Sequence, residues 1–123
     1  FQDLTAIAAQ KLPRAAFVQI HGYESREKHK GVDFVLSSGV KENPSEWFMD
    51  AYYTFCRAFS PEKVKKYPDV RGLGATSNVQ GRLLRMMNSK FLHIEITKEM
   101  RRVLKNNPSE RNKFGKTLMD GLK

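Results

Sequence analysis

Residues 43–59 read NPSEWFMDAYYTFCRAF, and this stretch decides the predicted fold. Asn43 can cap a helix, Pro44 suits the first helical position, and Glu46 follows Asn43 by three residues, as in a capping box. The apolar positions recur at the spacing of one helix face. They are Phe48, Tyr52, Phe55, Cys56 and Phe59. A helix this apolar is expected at the centre of a helical bundle.

Working outward from this segment, proline, glycine and capping residues divide the rest of the chain into further predicted helices. An imperfect apolar stripe follows Pro13, and Ser77, Thr97 and Ser109 can each cap a helix. The sequence has no convincing strand alternation, and residues 94–96 are interpreted only as a short extended link. We therefore predict an all-α, single-domain bundle over residues 1–123, with about five helices packed up and down. The predicted helices are residues 13–36, 43–59, 77–91, 97–105 and 109–122.

The length and composition agree with one folded domain. The chain has 123 residues, of which 40% are hydrophobic, and this is enough to bury a core. No apolar run reaches the roughly 20 residues that span a bilayer, so we predict no transmembrane segment. The first residues lack the pattern of a signal peptide, and the missing initiator Met suggests a processed or truncated chain, for which a removed signal peptide is one explanation.

Positive charge is concentrated in the second half of the chain. Residues 1–59 carry seven Lys or Arg and seven Asp or Glu, whereas residues 60–123 carry fifteen and six, which accounts for the net charge of +9. Apolar residues alternate with these cations at helical spacing, so the charges are expected on a folded surface. Such a surface attracts polyanions and acidic membranes.

The sequence offers little that resembles a catalytic or metal site. His21, His29 and His93 lie far apart and form no His-x-x-x-His pair, so we predict no metal site. Cys56 is the single cysteine and is interpreted as a buried thiol on a helix face. A nucleophilic pair of Cys56 with a histidine stays an alternative, because such partners come together only in the folded chain. The turn at residues 72–77 lacks the third glycine and the preceding strand of a phosphate loop. We therefore predict no enzyme activity, no catalytic residues and no cofactor.

The cations are the strongest functional signal, because nearby acids are too few to offset them. We predict that these cations form an anion-binding face, with apolar contact from Trp47, Tyr53 and Phe59. An ordinary solvated face, a nucleic-acid or other polyanion-binding module and an enzyme with an unrecognised site remain alternatives. No recognisable nucleic-acid-binding motif is present, so nucleic acid is a less favoured partner than the other anionic surfaces. The predicted cationic residues are Arg71, Arg82, Arg85, Lys90, Lys98, Arg101, Arg102, Lys105, Arg111, Lys113 and Lys116.

Several stretches together resemble one known family. They are GVDFVLSSG at residues 31–39, the aromatic segment at residues 47–59, RGLGA at residues 71–75, Gly81-Arg82, and MDGLK at residues 119–123. As a set, they are similar to the gastropod egg-lysin family of the abalone sperm acrosome. The chain is less basic and shorter between Gly39 and Leu73 than lysin, and the resemblance is therefore closer to the fusagenic branch.

This resemblance implies an all-helical, non-enzymatic protein of the sperm acrosomal vesicle that is secreted on exocytosis and acts in fertilisation. Its expected partner is egg membrane lipid, with promotion of sperm–egg membrane fusion. The alternative is an egg-coat glycoprotein, with lysin-type dissolution of the vitelline envelope. A homodimer is one candidate oligomeric state.

Overall fold

The chain combines a β-sheet with helices, so the prediction of an all-α bundle is wrong. The computed structural model describes residues 11, 15–23, 31–39, 44–67, 69 and 90–123. These residues contain four strands and three helices. In chain order they are β1 (Ala16–Tyr23), β2 (Phe34–Ser37), α1 (Glu46–Phe59), β3 (Val64–Lys66), β4 (Lys90–Thr97), α2 (Lys98–Asn106) and α3 (Pro108–Gly121). The class is α/β.

The four strands form one mixed sheet in the order β1-β4-β2-β3. Strand β4 pairs parallel with β1 and antiparallel with β2, while β2 pairs parallel with β3. Helix α1 connects β2 to β3, because two parallel neighbours need a crossover connection. Among the described strands, the last one in the chain, β4, therefore lies inside the sheet, next to the first, β1.

The two strands β1 and β2 fall inside the segment 13–36 that we predicted as a helix. Ala16 and Ile20 are four residues apart, and this spacing fits a helix face and one face of a strand equally well. What decides the outcome is β4, which pairs with both β1 and β2. The interpretation of residues 94–96 as a short link is wrong for the same reason, since they belong to the eight-residue strand β4.

The helix predictions succeed in the last third of the chain. Thr97 caps α2 as predicted, with its hydroxyl accepting a hydrogen bond from the Met100 backbone N–H. The predicted break before Pro108 is present, although Asn107 rather than Ser109 caps α3. Helix α1 begins at Glu46 with Ser45 as its cap, slightly later than expected. The predicted helix over 77–91 lies outside the described residues except for its end, where Phe91 is in β4.

The hydrophobic core lies between one face of the sheet and the helices α1 and α3. Phe34 and Leu36 from β2 and Leu92, Ile94 and Ile96 from β4 all point to this face. Their partners from α1 are residues of the helix face that was predicted to point inward. Those residues are Phe48, Phe55, Cys56 and Phe59, with Phe114, Leu118 and Leu122 packing from the C-terminal part of the chain.

Candidate functional site

The opposite face of the sheet carries polar side chains on β1 and β4. Residues of a strand alternate between the two faces of a sheet. Since Leu92 and Ile94 face the core, His93 and Glu95 lie together on the opposite face. The parallel register places His21 beside Glu95 and Gln19 beside His93. The sheet therefore brings His21, His93 and Glu95 together, and we refer to these three residues as the histidine–glutamate cluster.

The three side chains of the cluster approach one another closely. A His21 Nδ1 atom lies 4.0 Å from Glu95 Oε1, and His93 Nε2 lies 3.5 Å from the same oxygen. The two imidazole rings meet edge to face, with centroids 5.0 Å apart. One potential ligand atom from each residue lies within 4.8 Å of the others.

Burial differs strongly across the cluster. The side chain of His93 is 4% exposed and that of Glu95 12%, whereas that of His21 is 46% exposed. One side of the cluster is thus enclosed by the protein, and the His21 side is open to solvent. A ligand can reach the cluster from that side.

His93 is a neutral base at physiological pH. Burial, with a smaller contribution from nearby His21, lowers the pKa of His93 to about 4. Its contact with Glu95 is therefore no ion pair at neutral pH. Its Nδ1 atom is buried and has no hydrogen-bond partner within the described part of the chain.

Opposing effects act on the pKa of the Glu95 carboxyl group. Burial raises the pKa of its carboxyl group, while His21 and Arg101 lower it. Arg101 extends from α2 to the end of β1, where its guanidinium lies against Gly22. Gly22 and His21 point to opposite faces of β1, so this guanidinium lies across the strand from the cluster.

Two imidazoles and one carboxylate are a ligand set that suits a transition metal such as zinc. Zinc binds nitrogen and oxygen at about 2.1 Å, so tetrahedral ligand atoms are about 3.4 Å apart. The observed spacing needs only a small contraction of the side chains. Three protein ligands leave a fourth position for water or substrate, which is the arrangement of catalytic rather than structural zinc sites.

Sequence reasoning missed the cluster because it searched for ligand pairs at helical spacing. The available signal was the alternation in KFLHIEIT at residues 90–97, where polar His93 and Glu95 interrupt apolar Leu92, Ile94 and Ile96. That pattern places the two polar residues on one strand face. His21 could not have been linked to them, because the pairing of β1 with β4 is not visible in local sequence.

The predicted cationic residues are divided by the described ranges. Arg71, Arg82 and Arg85 lie outside the described residues. The others are all exposed, and seven of them lie on α2 and α3. The exposed ones are Lys90, Lys98, Arg101, Arg102, Lys105, Arg111, Lys113 and Lys116.

The three predicted apolar contact residues do not form one exposed patch. Tyr53 is 50% exposed, Trp47 is partly buried, and Phe59 is only 8% exposed. The Lys113 ammonium lies over the Phe59 ring, 4.5 Å from its centroid. Phe59 is therefore a core residue with a cation above it.

Cys56 does not meet the histidines of the cluster. It packs with Leu92 and Ile94 on the helix side of the sheet, whereas His93 lies on the other face. His29 is outside the described residues. An open cavity of about 670 Å³ lies at the end of α1, bordered by Tyr53, Cys56 and Pro61, among others. Among the described residues that line this cavity, no nucleophile is paired with a general base.

Comparison with known proteins assigns the chain to no family. No family model, no curated protein and no solved structure matches it. The resemblance to egg-lysin therefore stays a prediction, and the mixed sheet departs from the all-helical fold that the resemblance implies. Among the described helices, none is long and apolar enough to cross a bilayer.

Proposed function

We propose that the protein is a zinc-dependent hydrolase whose metal is bound by His21, His93 and Glu95. One observation carries the proposal, namely the convergence of two imidazoles and a carboxylate on one face of β1 and β4. This proposal replaces the expectation of a protein without metal, cofactor or catalytic residues.

The protonation states of the cluster favour a metal over a simple polar contact. A metal ligand must present a lone pair, and His93 is unprotonated far below neutral pH because its pKa is lowered to about 4. The pKa of Glu95 is raised by burial, so its carboxylate gains from a cation nearby. A bound zinc ion would supply that charge.

Hydrolysis is the reaction that the open side of the cluster supports. A catalytic zinc site holds water in its free position and lowers the pKa of that water to about 7. A zinc ion held by His21, His93 and Glu95 would supply such a water as the nucleophile for an acyl compound, whose bond to the leaving group would break as the leaving group took up the proton. Water is the only co-reactant, so atoms and electrons balance without an oxidant or reductant.

Metal binding by the intact chain tests the proposal directly. The protein should bind one zinc ion, measured by calorimetry against a competing chelator and by metal analysis after dialysis. His21→Ala and Glu95→Gln should each weaken zinc binding at least about 100-fold, because loss of even an outer-shell partner costs about 10–100-fold. Since His21 is half exposed, its replacement should leave the fold intact.

Hydrolytic activity is tested on a panel of amide and ester substrates. Activity should be removed by a chelator, restored by zinc and absent in His21→Ala. A protein that binds no zinc, or that binds it equally well after His21→Ala, would contradict the assignment. Cys56→Ser is a suitable control, because Cys56 is a potential metal ligand on the other side of the sheet and should not affect zinc affinity.

A second candidate function is binding to an anionic lipid surface. Helices α2 and α3 carry seven exposed Lys or Arg against three acidic residues, and Val103 and Met119 on the same helices are 40% and 65% exposed. Cations beside exposed apolar side chains suit a membrane interface. The fertilisation role, the acrosomal location and a homodimer rest on the family resemblance and the charge, and they stay predictions.

Vesicle-binding measurements distinguish a specific lipid-binding face on α2 and α3 from attraction by the overall positive charge of the chain. The chain should bind vesicles containing anionic lipid and release them as salt rises, because surface attraction is screened. The triple variant Lys98→Gln, Lys105→Gln, Lys116→Gln should weaken binding strongly. The control variant Lys63→Gln, Lys65→Gln, Lys66→Gln removes the same charge elsewhere and should have a smaller effect. Equal losses in the two variants, or no binding at all, would contradict a specific lipid-binding face.

A further inference from the structure

The two edges of the sheet differ in how they are protected against pairing with another strand. Among the described strands, the sheet order places β1 at one edge and β3 at the other. Strand β3 has only three residues, and two of them are Lys65 and Lys66. Short edge strands and lysine side chains are common means by which proteins prevent edge-to-edge association. The β3 edge is therefore protected against a further strand.

The β1 edge has none of these protective features. Strand β1 has eight residues that pair one by one with β4, so it contains no bulge. It also contains no Lys, Arg, Asp, Glu or Pro. Ile20, His21 and Gly22 in its second half are exposed, and the apolar Ile20 is 48% exposed. A long, uncharged edge strand of this kind is a template for pairing with another chain.

The charge of the molecule favours a second copy of the same chain as that partner. The net charge is +9, so most contacts between two copies would bring positive surfaces together. The β1 strand carries no formal charge, and its edge therefore allows two copies to approach without like charges on the paired strands. A two-fold axis also requires a surface that is complementary to itself, and antiparallel pairing of one strand with its own copy meets that requirement.

We propose that two copies of the chain form a homodimer by antiparallel pairing of their β1 strands, which joins the two four-stranded sheets into one continuous sheet. Ile20 lies opposite Ile20 of the partner subunit. This register overlaps nearly the whole of both strands and covers the exposed apolar side chain at their centre. Alternate residue pairs exchange two backbone N–H···O hydrogen bonds, which supplies the affinity.

This register also keeps the cations near β1 apart. Arg101 lies over Gly22, close to one end of the strand. With Ile20 at the centre, the two copies of Gly22 are four strand positions apart, or about 14 Å along the strand. The two guanidinium groups therefore lie toward opposite ends of the interface.

The proposed dimer is independent of the proposed metal site. The partner strand is added beside β1 in the plane of the sheet, whereas the histidine–glutamate cluster lies on one face of that sheet. Dimerisation is therefore measured on the intact chain without added metal, and its outcome neither requires nor excludes zinc binding.

The first experiment uses the wild-type chain alone. Analytical ultracentrifugation between about 1 and about 200 μM covers the range in which a dimer with a micromolar dissociation constant forms. The mass should rise from 14.2 kDa toward twice that value. Hydrogen–deuterium exchange at both concentrations should show that the β1 amides gain protection in the dimer and that the β3 amides do not. A mass that stays at 14.2 kDa, or protection gained only outside β1, would overturn the inference.

The second experiment adds a charge at the centre of the interface. Ile20→Lys should weaken dimerisation about 10-fold or more, because like charges directly opposite on paired strands repel and the apolar contact is lost. Tyr53→Lys adds the same charge at a similarly exposed position on α1, and it should change the dissociation constant by less than about threefold. Equal losses in these two variants would contradict pairing through β1.

A mixture of two variants separates pairing from damage to the fold. Ile20→Lys and Ile20→Glu should each dimerise poorly alone, whereas their mixture should form a heterodimer, since opposite charges then face each other. A variant that fails to dimerise because its fold is damaged would not recover on mixing. Circular dichroism establishes that each variant is folded. Folded variants that show no gain on mixing would place Ile20 outside the interface and overturn the proposed register.

Discussion

Asp33 lies next to the first residue of β2, and its carboxylate is 3.8 Å from the Lys63 ammonium. Burial raises the pKa of Asp33 above its usual 3.8, and Glu99 adds to the rise, whereas Lys63 opposes it. At pH values between the unfolded and the folded pKa of Asp33, the folded chain therefore holds a proton that the unfolded chain releases. The stabilising contribution of this group is complete below pH 3.8 and is lost as pH rises through the folded pKa.

We predict that Lys63→Gln raises the pKa of Asp33 further, because it removes the one neighbour that lowers it. The stability of the variant relative to wild type should decline as pH rises toward neutral. Carboxyl chemical shifts followed by NMR across the acidic range measure the pKa, and denaturant unfolding measures stability. Lys65→Gln should leave the titration of Asp33 unchanged. A fall in the pKa of Asp33 in Lys63→Gln would contradict the prediction.

Phe34 is the aromatic centre of the core. It is fully buried and contacts the rings of Phe55, Phe59 and Phe114 at centroid distances of 4.7 to 5.8 Å. We predict that Phe34→Ala lowers the free energy of unfolding by about 3–5 kcal/mol, through lost burial and an unfilled cavity. Tyr53→Ala, at a half-exposed position, should change it by less than about 0.5 kcal/mol. Denaturant unfolding of both variants should show this contrast, and equal losses would place Phe34 outside the core.

At the level of single residues, the sequence predicted the aromatic side of the core well. Phe48, Phe55, Cys56 and Phe59 are buried as expected, because a helix face can be read from local spacing. The cluster could not be predicted in this way. His21 meets His93 and Glu95 only through strand pairing across most of the chain, and no local pattern encodes that pairing.

Among the elements, α2 starts directly where β4 ends. Thr97 is the last residue of the strand and the cap of the helix, and its hydroxyl accepts a hydrogen bond from Met100 N–H at 3.1 Å. This junction fixes the direction in which α2 leaves the sheet, and it thereby places Arg101 over Gly22.

We predict that Thr97→Ala lowers the free energy of unfolding by about 1–2 kcal/mol, because a buried N-cap hydroxyl is lost. Thr97→Ser retains the hydroxyl and should retain most of the stability. Thermal unfolding of the two variants measures the difference. Similar losses in both would show that the methyl group, rather than the cap, matters at this position.

The elements that the sequence predicted correctly are those stabilised by local contacts. Helix α2 follows from its cap Thr97, and α3 follows from the break at Pro108, although its cap is Asn107 and not the predicted Ser109. Strands β1, β2 and β4 were missed, since each is stabilised by a partner that is distant in sequence. Strand propensity depends on such context more than helix propensity does.

For the whole molecule, ligand linkage provides a test that does not depend on activity. Zinc that binds only the folded chain stabilises it by about 2.7 kcal/mol when its free concentration is 100 times the dissociation constant. We predict that zinc raises the unfolding temperature of the wild-type chain and has no such effect on Glu95→Gln. Differential scanning fluorimetry with and without zinc measures the shift. Magnesium is the matched control, because it prefers oxygen ligands and should shift neither protein.

The position of β4 between β1 and β2 has a consequence for biosynthesis. Ala16 pairs with Lys90, so β1 leaves the ribosome long before its neighbour in the sheet has been translated. Closing so long a loop is entropically costly, and pairings of this kind form slowly. During that interval β1 is an unpaired nascent strand exposed to chaperones and to other chains. Truncated products ending before residue 90 should therefore aggregate and be degraded, and they lack both His93 and Glu95.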